Sequence, residues 1–359
     1  MKLLNLGSIS KNLVLLVMFA VLPALVILLY TGIEQRRHSI ENAKDEIFLL
    51  THTMAEVQKD ITKTAKQILS TLSLLPEVQE MDLQACRAIF KAVLEQNPDY
   101  QNITLTDLNG DVLASGIFST AVNLGDRKHV REAKNRKDFA AGEYIVSRVG
   151  LTVPAFAYAN PVLDPKGRPK AVLTMAIKLA RFSRFYDIST LPEKSFVAAT
   201  DHQGLRLFYY PPNANTNPIG KPIRAQSWNI ATKAQEPGIF IGKGSDGVSR
   251  IFAFEQVRLA ADDIPYIYVW AGIPEAHILK PANAVLARNL LVMFLTTMMS
   301  LLIAWAIGKK TLISPIKNLL TLTRKFAEGK LGVRNKQPDK FDEFGTLTKA
   351  FHDMADTLT

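Results

Sequence analysis

The 359-residue sequence holds a single cysteine, Cys86, so no intrachain disulfide can form, and a chain facing an oxidising space has reason to avoid stray thiols. Its six histidines (His38, His52, His129, His202, His277 and His352) lack the close spacing of metal ligands, and the lone thiol has no companion. No metal and no cofactor is expected. The stretch GIFIGK ending at Lys243 has three residues between its glycines and Gly244 after the lysine. A phosphate-cradling loop needs four, then Ser or Thr. The G-x-S-x-G elbow and the kinase and cyclase signatures are also missing. Catalysis is not expected within these residues. Glycine and proline are absent from 33–75, which leaves one long helix free to run.

Two stretches lack charge altogether. LVLLVMFAVLPALVILLY (13–30) rises about 27 Å as a helix, close to the roughly 30 Å hydrocarbon slab. Lys2 and Lys11 precede it, and no small-x-small cleavage site follows before Glu34, so it reads as an uncleaved anchor rather than a signal peptide. Pro23 is tolerable in such a span. LLVMFLTTMMSLLIAWAI (290–307) is the second, flanked by Arg288, Lys309 and Lys310, with Trp305 near one end where an indole suits the interface. Lysines outside both outer ends put residues 1–12 and 309–359 in the cytoplasm, with spans at 13–30 and 289–308. Residues 31–288 are then extracytoplasmic. Of the formal net charge of +10, much of the tail's share faces the anionic inner leaflet and the rest lies outside the cytoplasm, so nucleic acid is not expected as a partner.

Between the spans, Ile33, Ile40, Ile47, Met54, Ile61, Ile68 and Leu75 recur every seven residues, beside Ala43, Leu50, Val57, Thr64 and Thr71. This predicts a stalk helix over 31–75, packed on its own domain, on a partner, or both. From 100 the texture turns to short β-forming runs: NITLTD, a hairpin at Asn109-Gly110, DVLAS, then EYIVSR, TVPAFAYANPV and PKAVLTMAIKL, with a helix over 127–137. The motif Thr-Asp-x-x-Gly at 106–110 returns at 200–204, announcing a second copy with strands at SFVAATD, GIFIGK, VSRIFAFEQV and PYIYVWAGI and a helical patch over 224–234. The fold class is α+β: a stalk helix and two tandem antiparallel sheets, at 100–180 and 195–275, between two spans.

After the second span, Ile316, Leu319, Thr323 and Phe326 form one heptad row starting near Pro315, and Phe344, Leu347, Phe351, Met354 and Leu358 form another beyond Gly329 and Gly332. Two short amphipathic helices cannot bury their stripes alone, whereas two copies make a four-helix bundle, so a homodimer is expected. Pro315, the Gly329 connector and the Asp342-Glu343-Phe344-Gly345 entry to the second helix resemble a HAMP domain, the linker of bacterial transmembrane receptors. The outer region resembles a double Cache domain with two PAS-like sheets. That resemblance implies a multi-pass receptor of the bacterial inner membrane. Its sensor would bind a small molecule and drive a cytoplasmic output module, in first place a histidine kinase of a two-component system. A methyl-accepting chemoreceptor or a diguanylate cyclase is the alternative. A merely membrane-tethered extracytoplasmic binding protein is a reading of a different class.

In that family small ligands usually occupy the first, membrane-distal sheet, which here offers Arg127, His129 and Arg131, Tyr144 and Arg148, and Tyr158. Cache receptors for amino acids carry an arginine followed by a Trp-Tyr pair, and an aspartate that holds the ligand's ammonium. Arg127 matches the arginine, but His129 and Val130 stand at the aromatic pair and Ala176 at the aspartate. The departure implies a carboxylate or similar anion without an ammonium group, held by guanidinium groups. A charged run such as 126–138 also reads as a solvated helix face, and the tyrosines as core.

Overall fold

The structure, a computed structural model, describes residues 9–117, 121–180, 182, 191–327, 345–346, 349–350 and 353–354. It divides into two compact units, one of Arg37–Lys280 and one of Met1–Arg36 with Pro281–Thr359.

Helix α1 (Ile9–Ser73) carries the first apolar run and the stalk without a break. Within Arg37–Lys280 its buried positions include Ile47, Thr51, Met54, Gln58, Thr62, Ala65, Leu69 and Leu72. Those steps of three and four follow a straight 3.6-residue helix lying on its own domain. The seven-residue row drifts off that stripe: Ile61 and Ile68 are half-buried, and Thr64 and Thr71 are exposed. Two helices absent from the sequence expectation follow, α2 (Pro76–Gln79) and α3 (Leu83–Gln96). Asp82 caps α3 by accepting from the amides of Gln84 and Ala85.

The first sheet comprises β1 (Tyr100–Thr106), β2 (Val112–Ser115), β3 (Ala140–Val146), β4 (Pro154–Leu163) and β5 (Pro169–Lys178), with α4 (Lys128–Arg136) between β2 and β3. The second comprises β6 (Phe196–Asp201), β7 (Arg206–Tyr210), β8 (Gly238–Lys243), β9 (Ser249–Val257) and β10 (Ile267–Pro274), with α5 (Ala225–Lys233) between β7 and β8. Their strand orders, β2-β1-β5-β4-β3 and β7-β6-β10-β9-β8, are the same topology twice. The repeated Thr-Asp-x-x-Gly has a mechanical reason. One oxygen of Asp107 accepts from the amides of Asn109 and Asp111, and one oxygen of Asp201 accepts from those of Gln203 and Leu205. Gly110 and Gly204 take the left-handed conformation, φ 95° and 82°, that closes each turn. The β1–β2 connection is therefore a loop folded around Asp107, not the two-residue Asn-Gly hairpin that the dipeptide suggests.

Alternation along the strands gives each sheet an apolar face toward α1. Ile103, Leu105, Tyr158, Leu173 and Met175 of the first sheet join Val197, Ile267 and Val269 of the second in one cluster with Met54 and Leu69. Most of the polar groups buried there bond to one another, with Gln58 Oε1 left without a partner among the described residues. Thr62 Oγ1 lies 2.9 Å from the Tyr158 hydroxyl and 2.7 Å from that of Tyr266, and Gln58 Nε2 donates to Tyr158 at 3.1 Å.

In the other unit, α6 (Glu275–Gly308) begins ahead of the second apolar run and continues through a π-helical turn (Lys309–Ile313) into α7 (Ser314–Ala327). Pro315 thus stands in a helix already under way. Lacking an N–H, it cannot bond back to the preceding turn, and the wider turn before it accommodates that loss. The two apolar windows have mean hydropathy 2.7 and 2.3, and none of either window is buried within the chain. Both are long enough to cross a bilayer, and neither is the core of a globular unit. Gly32 allows α1 and α6 to touch, since a Cβ there would lie 2.7 Å from Leu286 Cδ1. Gly345 is helical. Gly329, Glu343, Leu347 and Phe351 lie outside the described residues.

Candidate functional site

The face of the first sheet turned away from α1 is built from the other half of each strand. On β1 these residues are Asn102, Thr104 and Thr106, all at least 97% buried, opposite Ala176, Thr174 and Val172 of β5. Buried polar residues at alternate positions need partners: Thr104 and Thr174 share a 2.6 Å hydroxyl contact, and Asn102 Nδ2 donates to Ser115 Oγ at 2.9 Å. Above this floor sits the start of α4, with Arg127 at its N-cap and His129 in its first turn.

Together they enclose a cavity of about 30 Å³, lined by Asn102, Thr104, Arg127, His129, Arg148 and Ala176 among others. That is room for roughly two waters, or the head of a small anion. Arg127 Nη2 donates to the Val146 carbonyl at 3.0 Å, whereas its Nε is buried without a partner among the described residues. Burial, with the like charge of Arg148 beside it, pulls its pKa below the ordinary value, although Asp126 and Glu143 oppose this. It remains a cation whose charge is poorly compensated. Arg148 is fixed by a two-pronged pair with Asp126 at 2.7 and 2.8 Å, which lowers the Asp126 pKa. His129 is 2% exposed, and its Nδ1 has no partner among the described residues. Burial first, then the charges of Arg127 and Lys128, push its pKa down to about 3, so the ring is neutral. Gly142 makes room for it: a Cβ there would lie 3.0 Å from His129 Nδ1 and 2.6 Å from the Ala157 carbonyl. No carboxyl group lines the cavity among the described residues. The site presents fixed cationic donors and hydroxyls over a neutral floor.

A HAMP domain family model matches residues 309–359, starting where the second apolar run ends. Among solved structures, the extracellular domain of rpHK1S-Z16, described as a histidine kinase, matches at 17% identity and TM-score 0.52, covering 67% of this chain and 98% of that one. The periplasmic sensory domain of the Campylobacter jejuni chemoreceptor Tlp1 matches at 14% identity and TM-score 0.53, covering 68% and 99%. The chain has the architecture of a transmembrane signal-transduction receptor. A comparison with curated proteins finds no match.

Of the six residues singled out from the receptor's sequence, Arg127, His129 and Arg148 line the cavity and three do not. Arg131 is exposed on α4. Tyr158 and Tyr144 follow strand parity: Ala157 and Ile145 line the cavity, so their neighbours along the chain fall on the opposite face. Tyr158 is completely buried against α1, and the Tyr144 ring lies where a Cβ on Gly220 would clash, at 2.4 Å. The hydroxyls and amides of Asn102, Thr104, Ser147 and Thr174 were not anticipated. The available signal was the polar residue at every second position of NITLT.

Proposed function

We propose that this receptor senses a small carboxylate without an ammonium group, bound at the cavity between α4 and the first sheet. The observation that carries the reading is the undercompensated Arg127 guanidinium, with a free buried Nε, over a floor where Ala176 offers no counter-charge. A carboxylate would accept from Arg127 and Arg148, and the hydroxyls of Thr104 and Thr174 would select small polar substituents. Calorimetry of the full chain in nanodiscs, titrated with acetate, glycolate and glycine, tests this. Glycolate or acetate is expected to bind, glycine to bind more weakly, and Arg127→Met to lose about 10- to 100-fold in affinity, the ~1.5–3 kcal/mol of a charged hydrogen bond. Glycine binding that is strongest of the three, or indifferent to Arg127→Met, would reject the assignment.

In the same reading the receptor is a homodimer of the bacterial inner membrane, its two spans bracketing an extracytoplasmic sensor, and HAMP passes the signal to a cytoplasmic output module, first a histidine kinase. Support comes from the unburied apolar windows, the basic flanks Lys11, Lys309 and Lys310, and the exposed Leu320 and Met354 of the HAMP segment. The ligand shifts the signalling equilibrium only by its differential affinity for two states, about 1–3 kcal/mol in known couplings. Alkaline phosphatase fused at residue 150 should be active and at residue 350 inactive, and cysteines introduced at Leu347 and Phe351 should crosslink between copies in membranes. Equal activity of the two fusions sinks the topology, and absence of crosslinks sinks the dimer.

A further inference from the structure

The second sheet repeats the geometry of the first with different chemistry. Arg224 is the N-cap of α5 as Arg127 is of α4. Arg127 donates to Val146, the last residue of β3, and Arg224 to Lys243, the last residue of the equivalent β8, at 2.6 Å. Beneath Arg224 lies a cavity of about 40 Å³ with Phe196, Phe252 and Trp270 in its walls and Arg206, Arg224 and Arg250 around them. The aromatic character is a matter of register. Where the first sheet pairs Asn102 with Ala176 and Thr104 with Thr174, the second pairs Phe196 with Gly272 and Ala198 with Trp270.

The three guanidinium groups face one nearby carboxylate. Asp246 pairs with Arg250 at 2.6 Å through both oxygens, and Arg250 also lies 5.6 Å from the centre of the Phe196 ring. Arg206 is only 5% exposed, yet its hydrogen-bond partners among the described residues are neutral: the carbonyls of Lys221 and Pro222 and, at 3.4 Å, Ser245 Oγ. Burial depresses its pKa, and Tyr209 opposes that. A buried cation is costly unless an anion or several dipoles compensate it, and here the compensation comes from two carbonyls and one hydroxyl at 3.4 Å.

We propose that this cavity is a second binding site, for a short-chain carboxylate whose apolar end packs on Trp270, Phe196 and Phe252 while its oxygens accept from Arg206 and Arg224. It is independent of the first site and takes a less polar ligand. The enclosed volume admits roughly three or four non-hydrogen atoms of ligand, enough for the three carbons of a propionate whose two oxygens meet the surrounding guanidinium groups, and excludes large acids.

Propionate is the probe, with propionamide as its neutral isostere and sodium chloride as the ionic-strength control. The full chain in nanodiscs is titrated by calorimetry and by tryptophan fluorescence. Propionate is expected to give a saturable fluorescence change that propionamide and chloride do not. Trp270→Phe should remove the fluorescence change, and in Arg127→Met the propionate dependence of that fluorescence change should persist, which separates this site from the first. Arg206→Gln and Arg224→Gln should each weaken binding about tenfold or more. Arg224 is exposed, so its variant stays informative if Arg206→Gln fails to fold. Propionamide binding as well as propionate, no saturable fluorescence change with propionate, loss of that change in Arg127→Met, or an Arg224→Gln affinity within about twofold of the parent would overturn the site.

Discussion

Asp201→Ala is expected to destabilise the outer unit by about 3 kcal/mol or more, while the same change at Asp107 costs about 1 kcal/mol. The two residues fold identical turns, so the difference isolates burial. Asp107 sits at a half-buried loop where water can replace the lost acceptor. Asp201 has no exposed surface, and three backbone amides depend on it: Gln203 and Leu205 in its own turn through one oxygen, and Tyr144 of β3 through the other at 2.9 Å. Removing the side chain takes the acceptor from three part-buried amide donors at once, each worth roughly 1–3 kcal/mol. Asp201→Asn keeps the turn acceptor but sets an amide hydrogen against the Tyr144 N–H if its nitrogen takes the second position, so an intermediate loss is expected. Denaturant unfolding followed by Trp228 and Trp270 fluorescence measures the stabilities, and hydrogen exchange at the Tyr144 amide reports the inter-sheet bond directly. Equal losses at Asp107 and Asp201 would show that the turn alone, not the link between sheets, sets the cost.

That link also bears on signalling. β3 carries Ile145 into the first cavity and its Tyr144 amide into the second sheet, one residue apart. A change at the cavity that moves β3 must therefore strain or release the Asp201 contact. This gives the proposed first site a physical path to the second sheet, and it runs through a strand rather than a chain of side chains.

Much of the fold was legible because its signals are local. The Asp-x-x-Gly turns announce themselves by the residue that accepts and the residue that tolerates positive φ, and their recurrence marked the duplication. The stalk was legible for want of glycine and proline. What failed was parity and register. Tyr144 and Tyr158 sit on strands correctly placed in sequence, yet which face each presents depends on pairing, and the β3–β4 register shifts between Ala141 and Tyr144. No local pattern reports that shift. The seven-residue row of α1 was half of the stripe: Ile47 and Met54 are buried on the domain, but a straight helix on a sheet also buries Thr51, Gln58 and Thr62, residues whose side chains bond to backbone or to tyrosines. Helix α3 carried a readable cap in Asp82 and a buried pair in Cys86 and Phe90. Arg127 was singled out through the family resemblance, and the structure puts it on the cavity lining. The hydroxyls beneath it were not legible, since threonine in a strand is ordinary β-former until its face is known.

His129 makes acid the strongest environmental challenge to the same unit. In the folded protein its pKa lies at about 3, against an ordinary 6.5 for the unfolded chain, because the ring is buried and Arg127 and Lys128 stand near it. Between those values the unfolded state binds a proton that the folded state refuses, so stability is fully present above pH 6.5 and declines as pH falls toward about 3. The slope from this one group is about 1.4 kcal/mol per pH unit. His202 adds a contribution of the same sign, its pKa lowered chiefly by burial, so the parent curve alone does not isolate His129. The difference curve does. His129→Gln, similar in size and without a titrating proton, should remove most of that slope between pH 6 and pH 4.5, a gain relative to the parent of about 2 kcal/mol across the interval, whatever offset the substitution introduces. Parallel parent and variant curves would mean that His129 accepts its proton in the folded state. The same neutrality carries to the cavity. Because His129 stays uncharged above about pH 3, Arg127 and Arg148 supply a constant positive field, and the affinity for a carboxylate should change on acidification only where the ligand itself takes up a proton. An affinity that instead rises as pH falls from 7 to 5.5 would place a new positive charge in the site, and the imidazole would be its source.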